Sequence, residues 1–158
     1  MKIYVIILSL LFIMSAGCKS LKSDKKSTII LDERYVNMFT GKKYKLKEIN
    51  VDDLKRIDSL LSNGIRSRDL QKLEINNLDN LKKKYYRQYL CYEDKEGDKI
   101  VYINGFCEVP SLFNEGIYRR LDWKKEMVDT SDGGNCYWSA EINLTKNVLT
   151  YVIVNTEG

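Results

Sequence analysis

Four cysteines, eleven tyrosines and no histidine bound the chemistry open to this chain of 158 residues. Without an imidazole there is no Ser-His-Asp or Cys-His arrangement, no histidine-ligated zinc site and no proton shuttle near neutral pH. Cys91 has no histidine to activate it, so an ordinary half-buried thiol is expected there. The acidic run Glu93-Asp94-Lys95-Glu96-Gly97-Asp98 clusters hard oxygen ligands, but it lacks the ligand alternation and distant glutamate of a calcium loop. A solvated hairpin tip without metal is expected. Asp132-Gly133-Gly134 has the composition of a phosphate loop, yet it joins two expected strands and no helix N-terminus follows to receive an anion. Asp52 and Asp53 are the one close carboxylate pair on a single element, and helix capping accounts for them. No catalytic set and no cofactor site emerges. The feature with binding potential is aromatic: Tyr85, Tyr89, Tyr102 and Phe106, with Arg87 among them, would form a ladder on one face of a sheet. Such a face either contacts another protein or a glycan, or lies beneath a helix as core.

Periodicity supplies the elements that would position these residues. Segments 28–38 and 43–49 are β-prone, with Thr40-Gly41-Lys42 as a turn between them. Asn50 reads as an N-cap, and Val51, Leu54, Ile57, Leu60 and Leu61 form a one-sided helical stripe that Gly64 would stop. Leu70, Leu73, Leu78 and Leu81 outline a second helix over 69–81, interrupted by Ile75 and Asn76-Asn77. From Lys84 the period changes to two, and strands 84–92 and 99–107 flank the acidic turn. With Glu96-Gly97 as a two-residue loop, Tyr92 faces Val101, Leu90 faces Ile103 and Tyr86 faces Cys107. This register creates the aromatic ladder and turns Cys91 toward it. Segment 110–116 reads as a loop. Segments 123–130 and 135–144 read as a second hairpin, with Cys136, Trp138, Ala140, Ile142 and Leu144 inward, and 148–154 as a last strand. One strong helix ahead of four or five short strands predicts an α+β domain, with the helix packed on a mostly antiparallel sheet in a cystatin-like order of elements. That topology implies no shared activity.

The N-terminus carries an address. Met1-Lys2 is followed by residues 3–14, of which only Tyr4 and Ser9 are not plainly apolar, and then by Ser15-Ala16-Gly17. This is the layout of a secretory signal peptide, and its apolar run is short of the roughly 20 residues of a membrane span. Ser15-Ala16-Gly17-Cys18 resembles the lipobox of bacterial lipoproteins. The resemblance implies cleavage after Gly17 and acylation of Cys18, and several acyl chains anchor firmly because each buried CH₂ contributes about 0.8 kcal/mol. The precursor then divides into a cleaved signal at 1–17, a lipidated cysteine with a polar basic tether at 18–27, and a single domain at 28–158.

Charge follows this division. The whole chain has a formal net charge of +4. Within 19–26, Lys19, Lys22, Lys25 and Lys26 stand against Asp24 alone, and the remainder from 27 onward is neutral on balance. A nucleic-acid-binding domain should carry its excess on its own surface, so no nucleic-acid partner is expected. The basic residues sit beside the lipid, where anionic head groups attract them. Lys19 rather than aspartate follows the cysteine, which resembles lipoproteins passed to the outer membrane, and the tether lacks an acidic cluster like that of surface-displayed ones. A position on the outer membrane facing the periplasm is expected.

With Cys18 acylated, Cys91, Cys107 and Cys136 remain in an oxidising compartment. The strand register groups Cys107 with Val101 and Ile103, and Cys136 with Trp138 and Ile142, and turns Cys91 the opposite way, so Cys107–Cys136 is the favoured disulfide, with buried free thiols the alternative. Three strings, Tyr85-Tyr86-Arg87-Gln88-Tyr89, the run from Val101 to Cys107, and Asp132-Gly133-Gly134-Asn135-Cys136-Tyr137, resemble small uncharacterised lipoproteins of Bacteroidetes. The likeness carries no activity with it. The expected protein is therefore a lipid-anchored cell-envelope module that binds another envelope protein or a glycan without catalysis. The competing readings are an envelope inhibitor or immunity protein, and a histidine-free hydrolase or lyase using carboxylates or tyrosine.

Overall fold

A computed structural model describes residues 24–155 apart from 115 and 131. Six strands form the main sheet. Strand β1 (Ser27–Ile30) runs parallel to β3 (Tyr86–Glu93), which pairs antiparallel with β4 (Lys99–Phe106). The sheet continues through β7 (Tyr137–Asn143) to β8 (Val148–Val154), also antiparallel, and the two-residue β2 (Lys45–Leu46) pairs with the end of β3. The fold is α+β with a mostly antiparallel sheet, as the change of period predicts.

The main helix, α2 (Val51–Ser67), begins in a capping box: Asp53 N–H donates to the Asn50 side chain, and Asn50 N–H donates to the Asp53 carboxylate. Ile57, Leu60 and Leu61 of this helix are buried against Tyr85, Tyr89, Val101, Ile103 and Trp138. The helix does not stop at Gly64. It continues to Ser67, and Arg68 takes the left-handed cap conformation at φ 72°. Gly64 is instead a packing residue, because a Cβ there would come within 2.7 Å of Leu149 Cδ2. After a 3₁₀ turn at Gln71–Leu73, the segment expected as one broken helix resumes as α3 (Leu78–Lys84), capped by Asn77.

On the opposite face, the sequence between β1 and β2 is not a strand. Residues Glu33–Thr40 form helix α1, started by the Asp32 side chain, which accepts from Arg34 N–H, and ended by Gly41 at φ 66°. Caps at both ends and the inward side chains Val36 and Phe39 outweigh the β propensity of the segment. The segment 123–130 is not a strand either, since β7 pairs with β4. It crosses the sheet irregularly, held by Gln88 Nε2, which donates to Trp123 O at 2.6 Å and Glu126 O at 2.7 Å. Val128 N–H donates to Gln88 Oε1 at 2.9 Å, and Asn104 Nδ2 donates to Val128 O at 2.7 Å. Two side-chain amides thus take the place of a strand ladder. The expected loop at 110–116 contains strand β5 (Ser111–Asn114), which forms a separate hairpin with β6 (Ile117–Arg120).

The β3–β4 register differs by one residue from the expected one. Tyr92 faces Ile100, Leu90 faces Tyr102 and Tyr86 faces Phe106. Asp94 N–H donates to Asp98 O and Gly97 takes φ 82°, so the connection is a three-residue loop, Lys95-Glu96-Gly97, and not a two-residue one. A slip of one residue moves every side chain of one strand to the other face of its partner. Cys91 accordingly lies with Val101 in the core beneath α2.

Candidate functional site

The corrected register separates the expected aromatic ladder. Tyr85, Arg87 and Tyr89 lie on the face beneath α2, and Tyr102 and Phe106 lie on the other. All five are buried. Arg87 is wholly enclosed: it donates through Nε to Tyr89 Oη at 3.2 Å and through Nη1 to Tyr85 O at 2.9 Å, and it forms an ion pair with Asp24. Tyr85 Oη donates to Asn135 O at 2.6 Å. Tyr85, Arg87, Tyr89 and Phe106 organise the core and present no interaction surface, and the five residues form no common ladder.

A recess forms where the incomplete cover of the second face ends. Helix α1 covers the sheet over Leu90 and Tyr102, and the 123–130 segment covers it over Tyr86 and Phe106, but beyond Phe39 a cleft of about 350 Å³ stays open. Its floor is Tyr92 and Tyr102, side by side with Ile100. Phe39, Tyr44 and Tyr151 form walls, and three carboxylates line the cleft, Glu141 beside the tyrosines and Asp94 and Glu96 at the turn. Phe39 stacks on Tyr102 with centroids 5.2 Å apart, and Tyr44 lies parallel to Tyr92 at 5.3 Å. Tyr92 Oη donates to Glu141 Oε2 at 2.9 Å. Glu141 Oε1 has no hydrogen-bond partner among the described residues, and Lys42 and Lys95 stand at the rim.

Burial, followed by the charge of Glu141, holds the Tyr92 phenol well above the ordinary tyrosine range. The same two causes, in the same order, raise Tyr151, and burial raises Tyr102. These hydroxyls therefore stay protonated, which suits hydrogen-bond donation and stacking better than proton abstraction. Asp94 also lines the cleft, but its Oδ1 accepts N–H bonds from Glu96 and Asp98 and shapes the turn. Burial pushes the Cys91 thiol up to about 12, so it stays protonated in the core.

Of the aromatic residues singled out by sequence, Tyr102 alone reaches this cleft, which Asp94, Lys95 and Glu96 of the acidic turn also line. Phe39, Tyr44, Tyr92, Glu141 and Tyr151 were hidden by the two-residue loop assumption and by the reading of 28–38 as a strand. An Asp-Lys-Glu-Gly-Asp connection with glycine in third loop position was the available signal for the true register. Cys107 and Cys136 are joined by a disulfide with Cα atoms 5.0 Å apart, tying the end of β4 to the start of β7. Cys18 and the lipobox Ser15-Ala16-Gly17 lie outside the described residues. The tether expected to run to residue 27 is partly folded: Asp24 pairs with Arg87, and Lys26 O accepts from Arg87 N–H at 2.8 Å. Among the described residues, no helix is long and apolar enough to cross a membrane, and no cluster of His, Cys, Asp or Glu side chains is arranged to hold a metal. No protein-family model, curated protein or solved structure matches the chain at a significant level.

Proposed function

We propose that the chain is an exported bacterial lipoprotein, anchored through Cys18 to the outer membrane and facing the periplasm, whose domain binds a saccharide without catalysis. The aromatic cleft carries this reading. Flat ring faces suit the apolar faces of a sugar, Glu141 Oε1 accepts from sugar hydroxyls, and Lys42 and Lys95 can donate to them. A cleft of about 350 Å³ lies within the usual range for a small-ligand site. The Cys107–Cys136 disulfide supports export, since such bonds persist in oxidising compartments.

The test is titration of the protein with soluble envelope saccharides, followed by NMR or calorimetry. Tyr151→Ala removes a half-exposed wall and should weaken binding about tenfold, the equivalent of about 1.4 kcal/mol, with an unchanged melt. Glu141→Gln should do likewise. Saturable binding that ignores both substitutions would remove the cleft from the function. A separate labelling with fatty acid checks the anchor: label that persists in Cys18→Ser refutes it. A second reading, an inhibitor or immunity protein for an envelope partner, is favoured by the edge strand β8, where Val148 and Ile153 are exposed. Capture of a protein partner that is lost on Ile153→Lys, with no saccharide binding, would promote it.

A further inference from the structure

Chain length and charge place a second surface at the pole of the sheet opposite the cleft. Residues Asp24–Lys26 lie alongside the C-terminal turn of α3, where Lys26 Nζ donates to Lys83 O at 2.7 Å. Lys82 is paired with Asp58 at 2.5 Å and Asp24 with Arg87, so those charges cancel locally. Lys25, Lys26 and Lys83 then stand with Asp79 as the neighbouring carboxylate on α3, and the exposed Lys84 follows on the same turn, where its Nζ donates to Leu73 O at 3.3 Å. The ammonium groups of Lys26 and Lys84 lie over the rings of Tyr86 and Tyr85, at 4.7 and 5.1 Å, which keeps them at this pole without neutralising them. Six residue steps separate Asp24 from Cys18, a reach of at most about 21 Å. A lipid on Cys18 therefore holds this lysine cluster close to the bilayer, within a few Debye lengths of its surface.

We propose that Lys25, Lys26, Lys83 and Lys84 form a docking face for anionic phospholipid head groups, which seats the domain on the membrane in one orientation. The inference rests on the lipid anchor proposed above. The strand β3 runs from Tyr86 at this pole to Glu93 at the other, seven steps or about 23 Å. Seating the lysine face on the membrane points the Tyr92 end of β3, and with it the saccharide cleft, away from the lipid toward the periplasmic space.

The test uses the processed full chain reconstituted on vesicles of phosphatidylcholine, with or without phosphatidylglycerol, and reads lysine acetylation by mass spectrometry. On phosphatidylglycerol vesicles Lys25, Lys83 and Lys84 should be labelled about fivefold more slowly, and added salt should reverse the protection. Lys95, at the cleft pole, should label equally on both vesicles. In Lys25→Gln/Lys83→Gln, two exposed substitutions that leave the fold intact, protection of Lys84 should be lost. Equal labelling of the cluster on both vesicles overturns the proposal. The mass of the Cys18 peptide reads the anchor separately: a chain without acyl mass that is still protected on phosphatidylglycerol vesicles keeps the docking face and refutes the anchor, whereas an acylated chain without protection keeps the anchor and refutes the face.

Discussion

Beneath α2, Tyr85 and Tyr89 are sealed in a dry core, whereas on the other face of the same sheet Tyr92 and Tyr102 floor an open cleft. Tyr89 and Tyr92 even share strand β3. The difference lies in what covers them. A 17-residue helix supplies a continuous apolar stripe and closes one face, while an eight-residue helix and an irregular segment close only part of the other. Aromatic residues under complete cover become packing material, and those at the margin of incomplete cover become a site. Polar groups follow the same division. Lys99 reaches Asp53 of α2 on the closed face at 2.6 Å, and Lys146 reaches Asp98 on the open side at the same distance.

This contrast breaks most severely at Trp138, which is buried on the closed face and packed on Gly105, where a Cβ would come within 2.1 Å of the indole. The indole N–H finds no partner among the described residues, so packing alone holds the side chain. Trp138→Ala should cost about 3–5 kcal/mol in urea unfolding. A loss below about 1 kcal/mol would show that this face does not carry the stability of the domain.

The same chemical change on the two faces gives the next largest effect. Tyr89→Phe removes the hydroxyl that accepts from the enclosed Arg87 guanidinium, and an unsatisfied buried donor of that kind costs about 2–3 kcal/mol. Tyr92→Phe removes the bond to Glu141, which can turn to water in the cleft, so about 1 kcal/mol is expected. Equal losses in paired denaturation curves would contradict the distinction between a dry face and a wet one.

The smallest effect concerns acid. Hydrogen bonds from Lys146 and Asn143 hold the Asp98 carboxyl below its ordinary value of 3.8. A depressed folded value stabilises the protein above the unfolded value, and that stability disappears as pH falls through the folded one. Asp98→Asn should therefore lower stability at neutral pH and flatten its fall below about pH 4. A wild-type and variant difference that does not shrink on acidification would exclude this carboxylate as the cause.

Much of the fold was legible because local signals agreed with one another. The Asn50 cap, the stripe from Val51 to Leu61 and the last strand expected at 148–154 correspond to α2 and β8 with little change. The pair Cys107 and Cys136 was favoured by a register that turned Cys91 the opposite way; the disulfide is present although Cys91 shares the core face with Val101. The β reading of 28–38 holds for 28–30 and fails from 33 onward, as it does for 123–130, because propensity describes single segments, whereas the Asp32 and Gly41 caps and the Gln88 amide decide those backbones.

By itself the sequence determined the main periods, the Asn50 cap, the absence of imidazole chemistry and the concentration of positive charge ahead of residue 27. Each of these depends on residues within a few positions of one another. Only the tertiary structure decided which tyrosines meet. The β3–β4 register rests on one residue of loop length, and the cleft depends on where α1 ends over strands that follow it by more than forty residues. Such a juxtaposition is set by packing and strand pairing, whose energies arise between distant segments and leave no period in the chain.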